Sequence, residues 1–130
     1  MDQLTSDRIA RLEGMLRERQ YALREDIRRE SSMQDDYSQV ASEAPDPGDA
    51  PFADLSIALG NAAIGRDLTE LRAVEAALAR IKSGTYGECG ECGYEIPYER
   101  LLAQPTAERC TACQGNYERT HAEHGRGATM

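Results

Sequence analysis

Apolar residues recur along residues 3–43 at the spacing of a helix seam. With Ile9 at position a of a heptad, the a and d positions are Ile9, Leu12, Leu16, Arg19, Leu23, Asp26, Glu30, Met33, Tyr37 and Val40; seven of these ten are apolar. A period of about 3.5 residues sustained this long predicts a coiled-coil helix. The stretch holds no proline and a single glycine, Gly14. Acid-before-base pairs four apart, Asp7/Arg11, Glu13/Arg17 and Glu25/Arg29, support it on its outer faces. Ile27, beside Asp26, marks a place where the seam drifts.

Pro45, Pro47, Gly48 and Pro51 interrupt the pattern over residues 44–51 and predict a tight turn. A second helix is predicted over 52–83, its seam running Ile57, Gly60, Ile64, Asp67, Leu71, Val74, Leu78, Ile81, with Gly84 as its stop. Two long helices joined by a short turn bury both seams only by lying antiparallel. A hairpin roughly 45–60 Å long is expected from the helical rise. Residues 84–125 hold all four cysteines and a last helix from about Thr111 to His124, stopped by Gly125, with 126–130 a frayed tail. The expected fold is mainly α: an antiparallel coiled-coil hairpin over 1–83, then a four-cysteine finger with a C-terminal helix over 84–125.

The cysteines read Cys89-Gly-Glu-Cys92, then 17 residues, then Cys110-Thr-Ala-Cys113. Each C-x2-C sets two thiolates on one turn, and two such turns complete a tetrahedron around Zn²⁺. A pair of redox dithiols is the competing reading, but a thioredoxin-like site needs a βαβ context that this sequence lacks. With all four positions taken by cysteine, no coordination site is left for catalytic water. The zinc is therefore expected to be structural. Few large apolar residues lie between 84 and 113, too few to order some 30 residues at about 1–2 kcal/mol each. A structural zinc supplies on the order of 10 kcal/mol.

Composition changes the picture for partners. The 130 residues carry 15 Lys+Arg against 23 Asp+Glu, a net charge of −8. Lys82 is the one lysine, and the arginines are interleaved with acids, so no basic face for a phosphate backbone is evident. No apolar run approaches the roughly 20 residues that span a bilayer. The first residues lack a signal-peptide pattern, so a cytoplasmic protein is expected. Between Arg29 and Arg66 there is no Lys or Arg, while Glu30, Asp35, Asp36, Glu43, Asp46, Asp49 and Asp54 fall there. A folded hairpin collects these acids at its tip. Asp46 suits a Pro-rich turn and Asp49 a helix cap; equally, an acidic tip suits a basic or Mg²⁺-bearing cleft. His121 and His124 read as solvated helix residues.

Asp46-Pro47-Gly48-Asp49 stands at the turn, Gly84-Thr85-Tyr86-Gly87 leads into Cys89 and Cys92, and Arg100-Leu101-Leu102-Ala103 with Pro105-Thr106-Ala107 lies ahead of Cys110 and Cys113. Together these blocks resemble the DksA/TraR family of bacterial transcription factors. The resemblance covers about residues 5–120. It implies a partner, RNA polymerase, whose secondary channel admits the coiled coil, with Asp46 and Asp49 approaching the catalytic region and altering initiation. It implies no enzymatic activity, a monomer and a bacterial cytoplasm. Arg66 matches one basic residue of the family's guanosine tetraphosphate site, but three others fall on Ala73, Gln104 and Gln114, so alarmone binding is expected to be weak or absent. Pro51 stands where the family has a small alanine. Arg100 is a candidate contact with the polymerase rim or, equally, a hydrogen-bond donor to the finger backbone. A zinc finger of the same fold serving another protein or nucleic acid, or a thiol or zinc sensor, are the rival readings.

Overall fold

The structure, a computed structural model, describes residues 4–43 and 49–129, with side chains described over 4–39 and 54–121. Its elements are α1 (Ser6–Glu43), α2 (Asp49–Ser83), α3 (Tyr98–Ala103) and α4 (Thr111–Thr129). Asp46 lies outside the described residues. Asp49 opens α2, with its side chain outside the described set.

The ends of the helices follow local chemistry. Thr5 caps α1: its Oγ1 accepts the Arg8 N–H at 3.3 Å, satisfying one donor of the first turn. Helix α2 begins three residues before the predicted start. Pro51 lies in its first turn, where the N–H groups have no acceptor within the helix, so a proline there gives up no hydrogen bond. The helix ends on Gly84, whose φ of +83° turns the chain back, and the Thr85 N–H reaches the Arg80 carbonyl at 2.9 Å. Helix α4 runs on past Gly125 to Thr129, beyond the predicted stop; glycine weakens a helix by about 1 kcal/mol without forbidding it.

The chain divides into two compact units, Met1–Leu16 with Ala76–Met130, and Arg17–Glu75. The division cuts through α1 and α2, whereas the sequence places its junction at 83/84.

Within Arg17–Glu75, α1 and α2 pair antiparallel. Arg19 meets Glu70, whereas Gln34 reaches the Ile57 carbonyl, so ascending numbers on one helix meet descending numbers on the other. Leu23 and Val74 are sealed in this seam. Arg19 falls at a predicted seam position but projects outward, its Nε and Nη2 gripping both Glu70 oxygens at 2.5 and 2.7 Å. Beyond Leu23 the seam shifts by one residue. Met33 is 45% exposed and Gln34 only 8%, and half-buried Ile27 sits seven residues before Gln34. The outer arginines of this stretch pair at a spacing of three, Glu25 with Arg28 and Asp26 with Arg29, in place of the expected Glu25/Arg29.

In the other unit, Leu12, Leu16, Ala77, Ile96 and Leu101 are buried. The start of α1 is tied to the cysteine-bearing segment. The Leu4 N–H donates to the Glu95 carboxylate at 3.0 Å, and the Arg8 guanidinium lies 4.4 Å over the Tyr98 ring. Helix α3 is absent from the sequence reading; six residues are too few to show a period. Among the described residues, no helix is long and apolar enough to cross a membrane.

Candidate metal centre

The first pair of cysteines sits on a tight knuckle. The Cys89 N–H donates to the Tyr94 carbonyl at 2.8 Å, the Gly93 N–H to the Cys89 carbonyl at 2.9 Å, and the Ile96 N–H to the Gly87 carbonyl at 2.7 Å. Glu88 and Glu95 form an antiparallel bridge across the same turn. Buried Ile96 anchors the return arm of the turn. The second pair spans the entry to α4, where the Gln114 N–H closes the first turn on the Cys110 carbonyl at 2.9 Å. One backbone bond joins the two knuckles directly, from the Gly90 N–H to the Glu108 carbonyl at 2.9 Å.

Side chains hold the second knuckle in place from behind. The Arg100 Nε on α3 donates to the Arg109 carbonyl, the residue just before Cys110, at 2.8 Å. Of the two roles open to Arg100, the structure shows this backbone bond. The Tyr86 hydroxyl donates to the Pro105 carbonyl at 2.8 Å from a buried ring. Burial pushes its pKa up to about 12, against a smaller opposing pull from Arg80. Arg109 stacks over Tyr117 at 3.9 Å, and Tyr117 in turn stacks on His121 at 3.7 Å. The His121 Nδ1 lies 2.8 Å from the Tyr117 carbonyl. The His124 side chain lies outside the described residues. The backbone bond is one of the two roles the sequence leaves open for Arg100, and Tyr117 and His121 stand one helical turn apart on α4. The Tyr86 bond to Pro105 is hidden from sequence because it joins residues with no periodic relation.

The four knuckle residues converge. The Sγ atoms of Cys89, Cys92, Cys110 and Cys113 all lie within 4.8 Å of one another, the one such group of potential ligands among the described residues. Sulfurs at the corners of a tetrahedron around zinc, about 2.3 Å from the metal, stand about 3.8 Å apart. Cys92 and Cys110 are 3.8 Å apart. The residues present thus fit a zinc ion in both number and spacing.

The thiols' acidities make the same point. Burial pushes Cys89 up, but the backbone N–H groups of Cys92, Cys110 and Glu91 outweigh it and bring the thiol down to about 6. Cys113 goes the other way, up to about 12, first through its hydrogen bond with Cys110 and then through burial. Four thiols this close cannot all lose their protons without a cation between them. A thiophilic divalent ion takes all four as thiolates.

Asp46 and the Asp49 side chain lie outside the described residues. Arg66 is an exposed residue of α2 in the other unit.

A C4 zinc finger fed by a long helical hairpin defines a class, and comparison with known proteins gives that class a family. Residues 84–119 match the prokaryotic dksA/traR C4-type zinc finger. General stress protein 16O of Bacillus subtilis is 47% identical over 55 residues, 42% of this chain and 32% of that protein. The RNA polymerase-binding transcription factor DksA of Escherichia coli K12 is 35% identical over 95 residues, 71% of this chain and 59% of that protein. The chain thus spans less than two thirds of these relatives. The transcription factor DksA2 of Pseudomonas aeruginosa has the same fold, with a TM-score of 0.79 at 23% identity over 90% of this chain and 88% of that one. The finger over residues 84–119 is of the dksA/traR C4 type, and its zinc is structural.

Proposed function

We propose that this protein regulates transcription initiation by binding RNA polymerase and presenting the acidic turn around Asp46 and Asp49 to the secondary channel. It acts without enzymatic chemistry of its own, as a monomer in the bacterial cytoplasm. The observation that carries this is the alignment with a relative named as RNA polymerase-binding, which runs over 71% of the chain and so extends well beyond the finger. The charge pattern agrees: an acidic segment free of Lys and Arg between Arg29 and Arg66 suits a cleft that attracts carboxylates. Zinc holds the finger's four thiolates, while Arg100 and Tyr86 hold the backbone behind them. Arg66 is left as the lone basic residue of the matched alarmone positions, so guanosine tetraphosphate binds weakly or not at all.

The double substitution Asp46→Asn with Asp49→Asn tests this. The expected result is retained binding to core RNA polymerase with loss of the effect on initiation. Unchanged regulation by the double variant contradicts the tip's role. Salt-dependent DNA affinity in the absence of polymerase would favour the nucleic-acid reading, against which the net charge of −8 stands.

A further inference from the structure

In the Arg17–Glu75 unit, one layer of the helix pair is built from polar and small groups. Gln34 occupies the shifted seam and is 8% exposed. Its Nε2 donates to the Ile57 carbonyl at 3.0 Å, which fixes the amide's orientation, because a carbonyl only accepts. The other end of the amide, Oε1, is buried with no hydrogen-bond partner. The amide lies over Gly60. A Cβ at position 60 would fall 1.5 Å from Gln34 Nε2, 2.5 Å from its Cδ and 2.9 Å from a Glu30 carboxylate oxygen. Only a residue without a side chain leaves room for this amide.

We propose that Gln34 seated on Gly60 is a polar key that fixes the register of α1 against α2 in this unit and makes this layer its weakest point. Both halves follow from the chemistry. A buried amide in a coiled-coil seam specifies register at a cost in stability, because a slipped register sets the amide against a residue with a Cβ in place of Gly60. The orphaned Oε1 loses its hydration on folding and gains nothing in return. Opening this layer restores that hydration, so exchange with solvent starts here. The inference is independent of the partner proposed above.

The test is a double-substitution cycle in the zinc-loaded full chain, read by amide hydrogen exchange over residues 57–64. Alanine is the better helix former, so Gly60→Ala should slow exchange if only helix propensity matters. The key predicts the opposite in the natural background: Gly60→Ala evicts the Gln34 amide and speeds exchange about tenfold or more. With Gln34→Ala already in place, the same Gly60→Ala change slows exchange. A change of sign between backgrounds supports the proposal. The same sign in both overturns it. Gln34→Leu provides a second reading that does not need Gly60→Ala to fold. It should slow exchange at residues 57–64 more than at residues 67–74, and equal slowing, or none, overturns the weak-point claim.

Discussion

The finger and the Arg17–Glu75 helix pair are held by different physics. The finger has a handful of buried side chains, Tyr86, Ile96, Leu101 and Ala107, but is tied by converging sulfurs and by backbone bonds between elements with no sequence period. The helix pair has no such cluster among its described residues. It relies on Leu23 and Val74, on a seam that shifts at Ile27, and on ion pairs at its surface. The finger's order is thus concentrated in one ion, and the pair's is spread along two helices. A concentrated constraint fails all at once, whereas a distributed one fails by layers.

Metal removal should break the comparison most strongly. A chelator is expected to abolish exchange protection across residues 84–113 while residues 17–39 and 54–75 keep most of theirs. Circular dichroism should then retain a mainly helical spectrum. Equal loss in both regions would mean that zinc holds more than the finger.

Core truncations come next and separate the two regions by readout. Ile96→Ala and Leu23→Ala each empty a site with 0% exposure and should each cost about 2–5 kcal/mol. Only Ile96→Ala should also speed zinc transfer to a competing chelator, because Ile96 anchors the return arm of the Cys89 knuckle, where its N–H donates to the Gly87 carbonyl. Zinc release measured for both variants decides this.

Tyr86→Phe is a smaller change. It removes the hydrogen bond to Pro105 at a cost of about 1 kcal/mol. The folded pKa, raised to about 12 from an ordinary 10, makes the phenol's contribution complete below pH 10 and lost as pH rises through 12. The natural protein should therefore lose stability across that alkaline window, and the phenylalanine variant should lose less. Melting curves at pH 9 to 12 check it.

The smallest effect is expected from the Arg19–Glu70 pair. Its bidentate hydrogen bond holds the Glu70 pKa below its ordinary value, so its contribution is present above that value and lost as pH falls through the folded one. Both side chains are about half exposed, and solvent screening limits the pair to roughly 0.5 kcal/mol or less. Glu70→Gln should remove a small part of the stability difference between neutral and acid pH, seen in urea midpoints.

What the sequence made visible follows the same division. Leu12, Leu16, Leu23 and Val74 repeat at heptad spacing because every turn of a helix presents the same geometry, so their burial was legible. The cysteines were legible because a metal imposes its own spacing on the chain. Gln34 was missed because a buried amide looks polar on paper, and Met33 beside it fits the unshifted heptad better. Ala77 was missed because a small side chain gives a weak signal even where it is fully buried. Pro51 was read as a breaker because the first helical turn, where proline costs nothing, is set by geometry rather than by composition. The Arg100 and Tyr86 bonds to distant carbonyls follow no period at all. Asp46 rests on sequence alone.

The most direct measurement places a photocrosslinker at position 48, between the two aspartates, and irradiates the zinc-loaded protein with core RNA polymerase. The predicted result is a crosslink to polymerase residues lining the secondary channel, competed away by unlabelled protein. Crosslinks confined to the polymerase exterior, or none from a protein that still binds the enzyme, would contradict a tip that enters the channel.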